Sequence, residues 1–305
     1  MTGAAMAGKV LRRVTIDLGK VGIWSRELRY HADAGARAAA AAELEDLGYG
    51  ALFIPDAGGD VLDAAAHLLA ATRRMPVATG ILNIWMHDPA DVAGGCASLL
   101  ERFGPRFLLG LGNSHAPLVE GIAHVPYERP YSKMVAYLDA LDATTPPVPA
   151  ADRMLAALGP RMLSLTRRRA AAAHPYLVPP EHTALAREAL GPGIVLAPEQ
   201  AVVLDPDPRR ARERARAFVN DYLALPNYVR NLRTLGFTDD DLRGPASDRL
   251  VDAVVAHGDE EAVAARVRAH HDAGADHVCL YVVGGTGEAL ALDSWRRLAP
   301  VVTGT

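Results

Sequence analysis

The sequence predicts an α/β fold, a (β/α)8 (TIM) barrel with a helical insertion before its last strand. Short apolar segments alternate with helical segments eight times along the 305 residues, and this alternation indicates parallel βαβ units. The length fits one barrel of roughly 250 residues with insertions, and no change in composition divides residues 1–305, so we expect a single domain. The rival fold, an open doubly wound sheet, would carry G-x-G-x-x-G after its first strand, and Gly19 and Gly22 do not fit that spacing.

The clearest strand is the fourth, within residues 105–121, PRFLLGLGNSHAPLVEG. Its apolar run from Phe107 to Leu109 suits a strand covered on both faces, as in a parallel sheet. Gly80 predicts a bulge in the third strand, and Pro198 predicts an interruption in the seventh. The other predicted strands span 14–24, 51–54, 77–85, 154–158, 174–178, 194–205 and 277–283.

Helices are predicted where apolar residues recur at helical spacing or alanine dominates. Residues 226–258 are extra to the barrel repeat and read as two or more helices. This insertion is either a lid over the barrel mouth or a dimer surface. The remaining predicted helices span 35–47, 62–72, 90–103, 130–142, 162–170, 181–190, 208–223, 260–273 and 288–298.

Bulk composition excludes several classes of function. The net charge of −4, from 32 basic and 36 acidic side chains, argues against nucleic acid as a partner. Two cysteines, Cys96 and Cys279, supply neither a disulfide framework nor a metal-ligand set, so we expect a reducing, cytoplasmic location and no metal. Residues 1–8 lack the apolar core of a signal peptide. No stretch approaches the ~20 apolar residues of a membrane span, so we expect no membrane association.

Polar groups are concentrated directly after the fourth strand, in Gly112, Asn113, Ser114 and His115. A buried strand that ends in small polar residues is typical of the rim of a binding site in α/β proteins. From the residues alone, His115 is as consistent with a polar rim position as with a catalytic group.

Other candidates lie near the ends of the first, third and sixth predicted strands. Alternate strand residues point in opposite directions, so each set is expected to be partly core. His270 and His271 lie on a helix without a carboxylate at ligand spacing and are predicted to be a surface pair. The pocket candidates are Trp24, Asn83, Trp85, His87, His174 and Tyr176.

Several segments resemble the luciferase-like flavin and deazaflavin oxidoreductases, a (β/α)8 family. The resemblance covers nearly the whole chain. Within the family, the sequence is most similar to an actinobacterial branch that uses the deazaflavin coenzyme F420 rather than FMN. The resemblance is carried by ATGILNIWMHDPADVA (78–93), RFLLGLGNSHAPLVEG (106–121), YERPYSKMVAYLDALD (127–142), AALGPRMLSL (156–165), HPYLVPPEHT (174–183) and AGADHVCLYV (273–282).

The resemblance implies how the ring of the coenzyme is held. A non-proline cis peptide in the third-strand bulge backs the ring in this family, and the matching bond is Gly80–Ile81. The loop from Gly112 to His115 matches the family's coenzyme-contacting loop, and His115 lies where some relatives carry an acidic residue that handles a proton. Asp56 matches a position that touches the ring; without the resemblance it reads as a turn residue or helix cap after Pro55.

One departure from the family pattern bears on the reaction. The sugar-phosphate dehydrogenase members carry a catalytic histidine directly after the position of Asp56, where this chain has Ala57. The substitution argues against their proton-transfer arrangement and against their substrate.

The phosphate-bearing tail of the coenzyme is implied to bind after the fifth strand. The matching residues are Gly159, Pro160, Arg161 and Met162, and helix N-termini favour anions. A competing phosphate site is the glycine run 284–287 after the last strand, where barrels often bind phosphate; as a short run it reads more simply as a loop.

We therefore expect an oxidoreductase that transfers a hydride between F420 and a small organic substrate. His115 is the candidate acid/base, Asp56 positions the ring and Asn83 is a polar contact in the pocket. One alternative is an FMN-dependent monooxygenase, which would need a flavin reductase as partner. A second is a non-catalytic flavin-binding barrel, as one luciferase relative is of that kind. We also expect a homodimer.

Overall fold

The computed structural model of the chain describes residues 16–283 and 289–304. All pairings between its strands are parallel, in the order β10-β9-β11-β1-β2-β3-β5-β6-β7-β8, and β4 pairs with β5 beside β3. The strands are β1 Val21–Trp24, β2 Leu52–Ile54, β3 Val77–Thr79, β4 Leu82–Asn83, β5 Phe107–Gly112, β6 Arg153–Leu155, β7 Ala172–Ala173, β8 Val195–Leu196, β9 Glu199–Leu204, β10 Val255–Gly258 and β11 Val278–Val282.

The sheet closes through the segment that contains β8 and β9. On one side the Ala197 N–H donates to the carbonyl of Ala173, and on the other the Cys279 N–H donates to the carbonyl of Pro198, both at 2.9 Å. The segment therefore borders β7 and β11 at once, with the predicted interruption at Pro198. The predicted (β/α)8 barrel is confirmed.

Helices cover the outside of the barrel, as the apolar faces of parallel strands require. Many begin at an aspartate whose carboxylate accepts N–H groups of the first turn, as Asp60 and Asp88 do. The helices are α1 Glu27–Tyr30, α2 Ala34–Asp46, α3 Val61–Ala71, α4 Pro89–Phe103, α5 Ala116–Leu118, α6 Pro130–Ala143, α7 Pro160–Arg169, α8 Pro180–Leu190, α9 Pro208–Leu223, α10 Pro226–Thr234, α11 Asp239–Leu242, α12 Asp248–Val254, α13 Glu260–Asp272 and α14 Leu292–Val302.

Three strand predictions need correction. The sixth strand is Ala172–Ala173, not 174–178, because Leu177 has a left-handed φ of 55° that a continuous strand does not tolerate. The predicted insertion contains α10, α11 and α12, but its last residues, Val255–Gly258, form a strand on the free edge of β9. The first predicted strand begins at Val21, and its residues 14 and 15 lie outside the described chain.

The inside of the barrel is filled by side chains from alternate strand positions. Phe53 of β2 lies between two imidazoles, with its ring centroid 5.1 Å from that of His174 and 5.4 Å from that of His277. Glu199 and Cys279 are register partners on neighbouring strands, and both are buried. In the described ranges, no helix has the length and apolar character needed to cross a membrane.

Candidate functional site

A cavity of about 780 Å³ lies at the carboxyl ends of the strands, the end where barrel enzymes place their sites. It lies between the loops that follow β1, β2, β3, β5, β6 and β7 on one side and α9 and α10 on the other. The predicted site residues that line it are Trp24, Asp56, Gly80, Ile81, Asn113, Ser114, His115, Gly159, Pro160, Arg161, Met162, His174 and Tyr176.

The bulge between β3 and β4 forms one wall of this cavity. The Gly80–Ile81 peptide bond is cis, as the resemblance implied. Trp24, at the end of β1, donates its indole N–H to the carbonyl of Gly80 at 2.6 Å. A Cβ on Gly80 would lie 2.9 Å from the Trp24 ring, so the close approach requires glycine.

Asp56 holds the chain that follows the bulge. Its carboxylate is fully buried and accepts hydrogen bonds from the Asn83 N–H at 3.0 Å and from Nε2 of His87 at 2.8 Å. The bond to Asp56 raises the pKa of His87. Asp56 therefore both lines the cavity and fixes the strand end beside it.

Three predicted site residues lie behind the lining. The Asn83 side chain accepts from the Trp85 N–H at 3.1 Å, which closes a turn. Trp85 packs against Tyr127, with ring centroids 5.2 Å apart. A Cβ on Gly112 would lie 2.4 Å from the end of the Ile81 side chain, so Gly112 makes room for Ile81. All three support the wall rather than face the cavity.

The loop after β5 places two polar groups at the cavity. Ser114 adopts a left-handed φ of 55°, and the side-chain oxygen of Asn113 is buried without a partner in the described chain. Nδ1 of His115 lies 3.0 Å from Oδ1 of Asn227. Since an amide oxygen only accepts, Nδ1 carries the proton and Nε2 is left as an acceptor. Burial lowers the pKa of His115, which keeps the ring neutral.

The helix α9 and the insertion supply a side of the cavity whose lining residues sequence reasoning missed. Tyr222 of α9 and Asn227, Tyr228 and Asn231 of α10 all line it. The hydroxyl groups of Tyr176 and Tyr222 are 2.7 Å apart, which joins α9 to the loop after β7. The available signal was a polar stripe: Asn227, Asn231 and Thr234 recur at helical spacing beside the apolar positions of α10.

His174 follows β7 and lies at the base of the cavity. Its Nδ1 donates to the carbonyl of Ala197 at 2.7 Å, and its Nε2 is buried without a partner among the described residues. Burial lowers the pKa of His174 to about 4, so the ring is neutral near pH 7. His270, predicted at the surface, is instead fully buried and bonded to Thr183 and Gln200.

The N-terminus of α7 forms the outer rim. Gly159 precedes the helix without a side-chain cap, and Pro160 occupies its first turn. The Arg161 guanidinium lies 4.2 Å from the Tyr131 ring centroid. The positive end of the helix dipole with a nearby cation suits an anion. The competing glycine run 284–287 lies outside the described residues.

Comparison with known proteins identifies the family of this chain. A family model described as luciferase-like monooxygenase matches residues 25–277, most of the chain. None of the curated proteins matches it. The chain belongs to the luciferase-like monooxygenase family, and this membership supports an enzymatic, oxidoreductase function.

Solved structures share the fold at low identity. A coenzyme F420 dependent tetrahydromethanopterin reductase from Methanopyrus kandleri has a TM-score of 0.75 and 16% identity over 94% of this chain and 99% of that one. An F420-dependent secondary alcohol dehydrogenase in complex with an F420-acetone adduct has a TM-score of 0.71 and 14% identity over 93% of this chain and 98% of that one. The oxygenating constituent of 3,6-diketocamphane monooxygenase from Pseudomonas putida, in complex with FMN, has a TM-score of 0.66 and 12% identity over 93% of this chain and 98% of that one.

Proposed function

We propose that this protein is an oxidoreductase that transfers a hydride between coenzyme F420 and a small organic substrate. The single observation that carries the proposal is the pairing of two features at one cavity: the Gly80–Ile81 bulge and the neutral His115 on the neighbouring loop. The bulge offers a flat ring a backbone wall, and the imidazole offers a proton site at its edge.

The residues present fit a deazaflavin. The ring would lie against Gly80 and Ile81, and the orphaned oxygen of Asn113 would accept an N–H of its pyrimidine part. The phosphate-bearing tail would reach the N-terminus of α7 and Arg161. Satisfying a buried acceptor is favourable because an unpaired one costs about 1–3 kcal/mol.

The coenzyme, when bound, supplies or takes up the hydride. His115 handles the proton: its Nδ1–H is held by Asn227, so its Nε2 takes a proton from, or returns one to, a substrate oxygen in the cavity. A general acid/base of this kind contributes about 10²–10⁴-fold to the rate. Asp56 keeps the bulge in position through Asn83 and His87.

An FMN-dependent monooxygenase is the second candidate, favoured by the FMN complex on the same barrel fold. It would use the same cavity wall and the same anion site at α7. It would also require reduced FMN from a separate flavin reductase, and it would consume oxygen when mixed with reduced FMN.

Binding titrations distinguish the two candidates. Purified protein is titrated with oxidised and reduced F420, FMN and FAD, and binding is followed by coenzyme fluorescence. We expect F420 to bind at micromolar concentrations or below. Arg161→Gln should weaken binding roughly 2- to 5-fold, since an exposed ion pair contributes about 0.5–1 kcal/mol. Arg167→Gln, an exposed position in the last turn of the same helix, is the matched control and should leave binding unchanged. FMN binding at micromolar concentrations without F420 binding would overturn the F420 proposal.

A further inference from the structure

The side-chain amide of Asn231 is an unsatisfied group in the wall of the cavity. Asn231 is 8% exposed and lines the cavity from α10. Its amide nitrogen is buried and has no hydrogen-bond partner in the part of the chain that the structure describes. The Thr234 hydroxyl donates to the main-chain carbonyl of Asn231 at 2.6 Å and not to its side chain. A buried donor without an acceptor is rare in folded proteins unless a ligand or water completes it.

The amide lies beside the proposed proton site. Asn227 bonds His115 and precedes Asn231 by four residues on the same face of α10, where side chains lie about 5–6 Å apart at their Cβ atoms. The Asn231 amide therefore lies about one helical turn from the contact between Asn227 and His115. This position belongs to the substrate, because the features that fit the coenzyme come from the barrel loops on the other side of the cavity.

An aromatic group on the same helix as Asn231 indicates which kind of ligand this part of the cavity favours. Tyr228 is the centre of an aromatic group: its ring centroid lies 5.3 Å from Tyr222, 6.1 Å from Tyr176 and 5.2 Å from His115. Aromatic walls favour a flat, apolar body.

We propose that Asn231 forms a substrate subsite for a flat organic molecule that carries a carbonyl oxygen, with the amide N–H as its donor. The proposal rests on the proposed function for its assignment of the ligand as substrate. The binding contact itself is independent of which coenzyme the protein uses.

Coumarin and naphthalene test the subsite, since both are flat bicycles and only coumarin carries a carbonyl. Binding of each probe is measured by calorimetry for wild type, Asn231→Leu and Asn231→Asp. We expect wild type to prefer coumarin and Asn231→Leu to bind coumarin roughly tenfold more weakly with naphthalene binding kept, which is the size of one neutral hydrogen bond. Asn231→Asp, which replaces the donor with acceptors, should bind coumarin still more weakly.

The melting temperature and the affinity for F420 distinguish a binding role of Asn231 from a structural one. Asn231→Leu should unfold at the same or a higher temperature than wild type, because an unpaired polar group has been removed. Its affinity for F420 should be unchanged. A lower melting temperature together with an equal loss of coumarin and naphthalene binding would show that the substitution disturbs the fold and would overturn the subsite.

Failure of the subsite and failure of the proposed function give different results. If F420 binds wild type but coumarin does not, or if Asn231→Leu weakens both probes or F420 equally, the subsite is overturned and the proposed function stands. If coumarin shows the expected pattern while F420 does not bind, the subsite stands and the coenzyme assignment fails.

Discussion

Four titratable groups inside the protein make its stability depend on pH in two directions. Burial lowers the pKa of His174 and of His277 to about 4, and that of His270 to about 3, from an ordinary 6.5. Burial raises the pKa of Glu199 from 4.5 to about 8. The folded protein therefore holds three neutral imidazoles and one protonated carboxyl group near pH 7, all less than 3% exposed.

Each group changes the folding stability in a direction set by which state, folded or unfolded, binds more protons. Between pH 6.5 and about 4, each of these histidines binds a proton only in the unfolded chain, so acidification destabilises the fold. Between pH 4.5 and 8, Glu199 holds a proton only in the folded chain, so rising pH destabilises the fold. Below pH 6.5 these four groups together take up about two protons on unfolding, which lowers the free energy of unfolding by about 2.7 kcal/mol per pH unit. The lowered pKa values of His115 and His182 add to this fall. Between pH 6.5 and 8, the deprotonation of Glu199 removes roughly 2 kcal/mol. At pH 6.5 the three imidazoles are still half protonated in the unfolded chain, which outweighs the one proton on Glu199, so maximum stability should lie near about pH 7.

Equilibrium urea denaturation at half-unit steps from pH 5 to 8.5, at constant ionic strength, measures both slopes. Glu199→Gln keeps a neutral side chain of the same shape, so its stability relative to wild type should increase by about 2 kcal/mol between pH 6.5 and 8. The pKa of His87 is raised by Asp56, so its loss of a proton also lowers the stability as the pH rises. This effect is the same in wild type and variant and cancels when their stabilities are subtracted. Parallel curves for variant and wild type across that range would refute the reasoning.

Three further predictions concern the site and the sheet that supports it. Gly110→Ala should destabilise the fold by about 3 kcal/mol or more in urea denaturation, because its Cβ would lie 1.8 Å from the Thr79 carbonyl oxygen; a change under 1 kcal/mol would contradict the close packing. His115→Gln should lower turnover about 100-fold with coenzyme affinity unchanged, and equal losses in both would argue for a binding role alone. Asn227→Asp should raise the pKa of His115 by about one unit or more, measured by imidazole NMR titration, and an unshifted titration would show that the 3.0 Å contact does not hold the ring.

The barrel was predictable because its strands are short apolar runs between glycines and prolines, and its helices repeat at regular intervals. The sixth strand was misplaced for a physical reason: Ala172 and Ala173 carry no β-strand signal, while the residues from His174 to Val178 do. In the structure Leu177 turns left-handed, and those residues form a loop at the base of the cavity.

The barrel side of the site was largely predictable, and the insertion side was not. The bulge at Gly80 and the loop that ends in His115 are local in the sequence and match a family pattern. The bond between His115 and Asn227 joins positions 112 residues apart, and no local pattern reports such a contact. His270 was misassigned for a related reason, since its partners Thr183 and Gln200 lie 87 and 70 residues away.

The division of the cavity between the barrel loops and α10 bears on substrate specificity. In α/β barrels the strands maintain the fold and the loops vary, so groups supplied by an insertion differ between relatives more than groups at strand ends do. Here the barrel side carries the wall at Gly80 and Ile81, which suits a coenzyme shared across a family. The α10 side carries Asn227, which bonds His115, and Asn231, whose amide nitrogen has no partner among the described residues. Exchanging α10 with that of a relative should therefore change the preferred substrate and the pH profile while the affinity for coenzyme is retained.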